Sequence, residues 1–509
     1  MGVGEKMAPV GEKNQPVLVP EPQQQLKQSE RGEGEAEKVP VADHVRAVSD
    51  SDGLDTEERK ALERRLRFKI DLRLCTIAGL LCSLNLLDSG VISSASVTSM
   101  VTDLGLFGNR YSVSIFIFTI ASIVFQLPST LAVRRFGPRL WFASSTFAFG
   151  LITMCTAFIR NWQSMIALRV LLGVAMSGIY PGLTYLISTW YPRREQQTRF
   201  ALLQSGQVIV LATGNIVNFG LNQLDGRGGI AGWRYMFLVQ GLITMVIGFV
   251  TFVWIVDFPE EAHNSFWFLT KEEQELAVAR INEDRSDVEP EPFSWGAVLA
   301  NLKDLKIYGF ASLFFLLNLV STSMAYFLPI ILQSGMGFSE NQSILLSAPP
   351  YYYAVIPVLF TSLVGDKLWL RGPVIIFNCI CLIVGFCMLG FVDQVVVRYI
   401  GTYLATGAYI SNWAALSTYQ ANNVAGQWKR AVTAAAVTAL NGAGGIAGSY
   451  IVRQTEAPRY MTAVWVSIGS HLMIICVVLL MSVYFLWANR RADLGKLVIE
   501  GVEGFRYTL

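Results

Sequence analysis

Charge is what this chain has least of. Asp, Glu, Lys and Arg make up 15% of its 509 residues, against about a quarter in soluble domains. The deficit is concentrated in long apolar stretches, which excludes a soluble protein with a large core. Basic residues sit in short clusters and the formal net charge is only +2, so nothing marks a nucleic-acid partner. The three histidines, His44, His263 and His471, are scattered, which argues against zinc chemistry, and no metal site is expected. The seven cysteines all fall inside apolar stretches without a paired pattern, and they read as small hydrophobes rather than a disulfide framework. There is no Gly-x-x-x-x-Gly-Lys-Ser/Thr loop, so the chain cannot be a complete ATP-driven pump. With no nucleophile–base set either, neither enzyme activity nor a cofactor is expected. The first 55 or so residues have almost no aromatics and no apolar signal region; they are expected to be disordered and not cleaved as a signal peptide.

What the chain has instead is hydrophobic length. Apolar stretches run over 72–92, 111–131, 140–158, 164–189, 201–222, 234–257, 307–332, 343–364, 373–392, 398–420, 431–452 and 463–487. At 1.5 Å per residue each can cross the ~30 Å hydrocarbon core of a bilayer as a helix. They break into six and six around a charged stretch from Asp257 to Lys306. The predicted fold is an all-α membrane protein of twelve transmembrane helices in two six-helix bundles, the layout of a secondary transporter. Its parts are a tail and short charged helix over 1–68, a bundle over 69–257, a central loop over 258–306, a second bundle over 307–489 and a tail over 490–509. Lys and Arg in the short loops number ten on one side and seven on the other, and the runs Arg64–Lys69 and Arg490–Arg491 join the richer side. Both termini, and the central loop with them, are therefore expected in the cytosol. Asn341-Gln342-Ser343 is a glycosylation sequon on the outer side, almost at the membrane.

Polar residues within the spans are the candidate site. Asp88 is the one acid placed well inside a span, about 9 Å past its midpoint; it either titrates or binds substrate, or caps a span end. Arg169 begins a stripe with Gly173, Ser177 and Pro181. It faces a cavity or partner, or snorkels to an interface, while the small residues permit close helix approach. The fifth span aligns Gln204, Gln207, Asn215 and Asn218 on one face, which looks inward, to water, substrate or a neighbouring helix. The predicted cavity lining is Asn85, Asp88, Gln126, Arg169, Tyr180, Gln204, Gln207, Asn318, Tyr352 and Asn412.

Two loops repeat a pattern. Arg134-Arg135-Phe-Gly-Pro-Arg139 follows the second span, and Gly365-Asp366-Lys367 with Arg371-Gly-Pro follows the eighth. Cations at equivalent places of both halves fit a cytosolic gate that pairs with span ends in one state and releases them in another; the alternative is simple anchoring. Gly442-Ala-Gly444-Gly445-Ile-Ala-Gly448 imitates a dinucleotide fingerprint, but within an apolar span it reads as close packing or a bend.

These residues resemble the major facilitator superfamily, and more narrowly the fungal allantoate permease-like branch of the anion:cation symporters. The likeness covers about residues 68–509. It rests on Tyr111, Leu127-Pro128-Ser129, Arg134–Arg139, Pro181-Gly182, Trp190-Tyr191, Leu224-Asp225-Gly226, Gly232-Trp233-Arg234, Phe237, Phe268-Leu269-Thr270 and Glu272-Glu273. In the second half it uses Leu328-Pro329, Gly337-Phe338-Ser339, Pro349-Pro350-Tyr351, Asn422-Asn423, Lys429-Arg430, Ala457-Pro458-Arg459-Tyr460 and Phe505-Arg506-Tyr507. The resemblance implies transport of a small organic solute, vitamin- or carboxylate-like, often with protons, in the plasma membrane or the vacuolar membrane; a monomer is expected. Where the branch commonly has Asp-Arg in the first span this chain has Asp88-Ser89, and Gln126, Met176 and Gln240 stand where it carries acids. One cation and three acids are thus missing, so any proton coupling falls to Asp88 and the expected substrate is neutral or weakly charged. Two other readings are an exporter of a fungal secondary metabolite and a non-transporting receptor built on a transporter fold.

Overall fold

The computed structural model describes residues 56–508, apart from 192, 260, 261, 263–267, 286–302, 369, 370, 426 and 502–504; some side chains, those of Arg134 and Asp366 among them, are also outside the description. The expected disorder before residue 56 lies outside the described residues. Among those described, all regular structure is helical.

A charged helix, Thr56–Ile70, runs through a π-helical turn, Asp71–Cys75, into the first span, Thr76–Ala95. Arg110–Phe136 and Pro138–Thr156 are the second and third. Their reversal hangs on Gly137, at φ 80°, a conformation an L side chain resists, followed by a proline preset for the first helical position. The fourth span is two pieces, Trp162–Met176 and Ile179–Trp190, where the sequence reads as one. The break at Ser177-Gly178 has a local cause, since Pro181 lacks the N–H and crowds the carbonyl four residues back. Arg193–Asn222 and Gly232–Trp254 complete the first half, and Lys271–Arg285 is a helix of the central segment.

The second half holds Leu305–Ile330 with a π turn Ile331–Gly335, then Glu340–Leu346 leading into Ala348–Leu368, Arg371–Phe391, Val395–Asn423, Gln427–Ile451 and Met461–Asp493. Ser339 and Gln342 form a reciprocal capping box that starts the eighth span. Among the described residues, seven helices are long and apolar enough to cross a membrane by composition alone, and Arg110–Gln126 is a shorter apolar stretch.

Within the first half the third span packs on the sixth, the first on the fifth and the second on the fourth. The stripe on the fourth span serves that last contact. Gly173 lies against the Phe118 carbonyl and Ala121, and Ser177 Oγ meets Ser129 Oγ at 2.6 Å. In the second half the seventh span packs on the eleventh and the ninth on the tenth. The halves meet along the first and seventh, second and eleventh, and fifth and eighth spans. Even numbers of crossings bring Thr56 and Thr508 to one face, here called the terminal face; the other is the distal face.

Candidate functional site

The two halves are stitched at the distal face. Tyr111 OH donates to the Tyr326 carbonyl at 3.0 Å and Gln333 Nε2 to the Val97 carbonyl at 3.0 Å. Asn222 Nδ2 reaches Glu340 Oε1 at 2.7 Å and Asn341 Oδ1 at 2.9 Å, so the sequon asparagine takes part in the seal. Deeper in, Thr213 and Tyr352 share a hydroxyl contact of 2.8 Å between the fifth and eighth spans. These contacts hold the two halves together at the distal face. Tyr180, in the lower piece of the fourth span, keeps 55% of its surface open.

Just beneath that seal, Arg169 Nη1 meets Asp88 Oδ2 at 2.6 Å, with 3% and 1% of the two side chains exposed. This is neither a snorkelling arginine nor an interfacial cap. Asp88 Oδ1 is buried and receives no hydrogen bond from the described protein. Tyr111 and Tyr326, the seal tyrosines, lie within electrostatic reach of the pair, and Tyr111 meets Phe327 edge-on at 5.4 Å. A buried ion pair of this kind adds little net stability while intact, but breaking it costs about 3–5 kcal/mol. It therefore suits a switch better than a girder.

The other predicted residues divide. Asn85 is exposed and Gln126 and Gln204 are half-buried, while Tyr352 is 39% exposed. Gln207, Asn215 and Asn218 are buried. The last two face the first span, where Asn218 Nδ2 donates to Ser94 Oγ at 3.3 Å and Asn215 lies over Gly90. Asn318 Nδ2 donates to the Asn441 carbonyl at 2.7 Å, tying the seventh span to the eleventh. Asn412 is fully buried and its amide points to Cys379 Sγ at 3.3 Å, between the tenth and ninth spans.

Of the loop cations, Arg139 is bound to the end of the sixth span. Its Nε donates to the Phe252 carbonyl at 2.7 Å, its guanidinium covers the Phe252 ring at 4.6 Å, and its backbone N–H donates to Asp257 Oδ1 at 3.3 Å. Arg135 and Lys367 are exposed, whereas Arg371 is buried against Gly365. Arg134 and Asp366 have side chains outside the description.

The sequence reading missed a repeated ion pair. Asp71, before the first span, accepts from both Arg199 Nε at 3.1 Å and Arg199 Nη2 at 2.9 Å, and from Tyr191 OH at 2.6 Å. Asp304, before the seventh, pairs with Lys429, which opens the eleventh. In each half an acid leading the first helix holds a cation leading the fifth. The two pairs are similarly far apart in the chain, Asp71 to Arg199 and Asp304 to Lys429, but no single motif announces them.

Two six-helix halves, joined at the distal face above a buried ion pair, have the layout of a membrane transporter of small solutes. A Major Facilitator Superfamily profile matches residues 78–449, and the chain belongs to that family. It is 31% identical over 438 residues to an uncharacterised transporter of Schizosaccharomyces pombe, covering 85% of this chain and 84% of that one. It is 28% identical over 424 residues to the high-affinity nicotinic acid transporter of Saccharomyces cerevisiae, covering 83% and 78%. The xylose transporter XylE of E. coli, solved in a partially occluded inward-open conformation, superposes with a TM-score of 0.60 at 14% identity, over 80% of this chain and 96% of that one.

Proposed function

We propose that this chain is a proton-coupled carrier of the allantoate permease-like branch, taking a small vitamin-like solute of at most one negative charge. The observation that carries this reading is the Asp88–Arg169 pair beneath the distal seal. While Asp88 is ionised it occupies the guanidinium, and a substrate carboxylate finds no free partner there. A proton on Asp88 releases that hold and leaves Arg169 able to attract a carboxylate. Proton and monoanion would then enter together with no net charge moved. The few kcal/mol needed to break the pair match the gap between two conformations of a carrier, so one proton can shift the balance. Asn85, Gln126, Tyr180 and Gln204, predicted to line the cavity, are uncharged and not buried, so on this reading they offer no second cation for a dicarboxylate. The nicotinic acid transporter among the relatives supports a compact ring acid as the first compound to try.

Uptake of labelled nicotinate, pantothenate, allantoate and a dicarboxylate, measured from pH 4.5 to 7.5 in cells with and without the gene, tests this. The expected result is acid-stimulated uptake of a monoacid by the wild type and a flat pH profile in Asp88→Asn. Steep acid stimulation that survives Asp88→Asn would sink the coupling role, and uptake of the dicarboxylate alone would sink the substrate class.

The terminal face is read as cytosolic, because the short loops on that side hold more Lys and Arg, and the membrane as the plasma membrane. Tags at either end should then resist protease added to intact cells; cleavage without permeabilisation would reverse the orientation.

A further inference from the structure

The segment after the twelfth span turns back and closes the terminal face of the second half. Two asparagines grip its backbone as a strand partner would. Asn489 Oδ1 accepts from Tyr507 N at 2.9 Å while its Nδ2 donates to Tyr507 O at 2.8 Å. Asn423 Oδ1 accepts from Thr508 N at 2.8 Å while its Nδ2 donates to Thr508 O at 3.0 Å. The Tyr507 ring stacks on Phe485 with centroids 4.4 Å apart. Glu500, only 2% exposed, lies 2.6 Å from Lys429, pairs with Lys306 and accepts from Tyr507 OH at 2.5 Å.

Asp304 completes the cluster, 3.4 Å from Lys306 and paired with Lys429. These groups line a cleft of about 290 Å³. Burial by itself would raise the Glu500 and Asp304 carboxyls, but hydrogen bonds and charge from the two lysines hold both below the ordinary range. Such groups stabilise the cluster above ordinary carboxylate pKa values and release it only as pH falls through the lowered ones, so the cluster is intact at neutral pH.

The first half has a counterpart. There the segment after the sixth span places Phe268 on Trp190, at the end of the fourth span, with centroids 5.6 Å apart. It also sets Glu273 2.6 Å from Lys69, just before the first span. Lys306 stands at the start of the seventh span as Lys69 stands just before the first, and Asn423 ends the tenth as Trp190 ends the fourth. In both halves the chain leaving the sixth helix ties down the ends of the first and fourth.

We propose that the second half carries a peptide-binding site, built from Lys306, Asn423, Lys429, Phe485 and Asn489, whose ligand is this chain's own tail, held in cis through Glu500, Tyr507 and Thr508. The docked tail is a clasp that makes the terminal ends of the seventh, tenth, eleventh and twelfth spans one rigid unit. Alternating access by rocking needs halves that move as bodies; an open clasp leaves two lysines facing a single aspartate at the helix ends. Tethering keeps the site filled, because linkage through the twelfth span gives the tail a high effective concentration.

The test needs no transport substrate, so its outcome is independent of the transport reading. A chain ending at Gly495 is purified, and a labelled peptide of residues 496–509 is titrated in, with melting followed in parallel. The expected result is a lowered melting temperature, saturable peptide binding that restores it, and binding about tenfold or more weaker for the peptide carrying Glu500→Gln and Tyr507→Ala, the change that losing hydrogen bonds to charged partners brings. A well-folded truncated chain that binds the peptide no better than a scrambled one would overturn the proposal. Should the truncated chain not fold, the full chain with Asn423→Ala and Asn489→Ala decides: protease should release a C-terminal tag about tenfold faster than from wild type, and an unchanged rate counts as refutation.

Discussion

Arg169→Met will remove most of the folded protein from the membrane, and adding Asp88→Asn will bring much of it back. The single substitution strands a carboxylate that is 1% exposed and held 2.6 Å from the Arg169 guanidinium. Leaving one partner of a buried pair uncompensated costs about 3–5 kcal/mol, a large share of the roughly 5–15 kcal/mol that holds a typical protein folded. Asp88→Asn alone is milder. Its amide oxygen still accepts from Arg169, and a neutral group at that position is one the transport cycle itself is proposed to visit. In the double variant no charge is stranded, so the melting temperature should recover while uptake stays lost. Measured on purified protein, equal melting of wild type and Arg169→Met would show that the pair bears no such load. Failure of the double variant to recover would place Arg169 in contacts beyond Asp88.

Gly444→Leu will also prevent folding, for a steric rather than an electrostatic reason. A Cβ built on Gly444 meets the carbonyl of Phe315, and one on Gly448 meets that of Leu319, so the eleventh span rides directly on the backbone of the seventh. Overpacking a core costs about 1–3 kcal/mol where side chains can shift; a helix backbone cannot yield in that way, and the cost passes the upper end. Gly469→Leu is the control, since nothing lies within 4 Å of its Cβ position. Size-exclusion profiles of tagged protein in detergent should show Gly444→Leu aggregated and Gly469→Leu monodisperse. A monodisperse Gly444→Leu would mean that the two spans stand further apart. The neighbouring Gly442 meets Ile123 of the other half instead. The same glycine run thus packs one bundle internally and lets the two bundles slide closely.

Twelve apolar runs in a six-and-six rhythm made the fold legible, because the cost of unsatisfied backbone in lipid leaves helices as the way for such runs to cross. Capping and turn chemistry were equally local: Ser339 with Gln342, and Gly137 before Pro138, fix ends that the chain spells out in three or four residues. The glycine run could be read as packing without knowing the partner, since only its place in an apolar span mattered.

Partnership was not legible. Asp88 and Arg169 were each singled out from the sequence, yet 81 positions separate them, and nothing in either local pattern says that one neutralises the other. The amides of the fifth span were expected to look inward, to water, substrate or a neighbouring helix; that Asn215 and Asn218 look at Gly90 and Ser94 follows from how the first span lies against them. Asn412 has the same polarity as Asn85, but one is sealed between two helices and the other open. Hydrophobic length and helix punctuation are properties of neighbours in the chain, and the sequence by itself determined them. Which charge meets which, where the halves seal and what the tail grips depend on residues tens to hundreds of positions apart, and only the packing of twelve helices decided them.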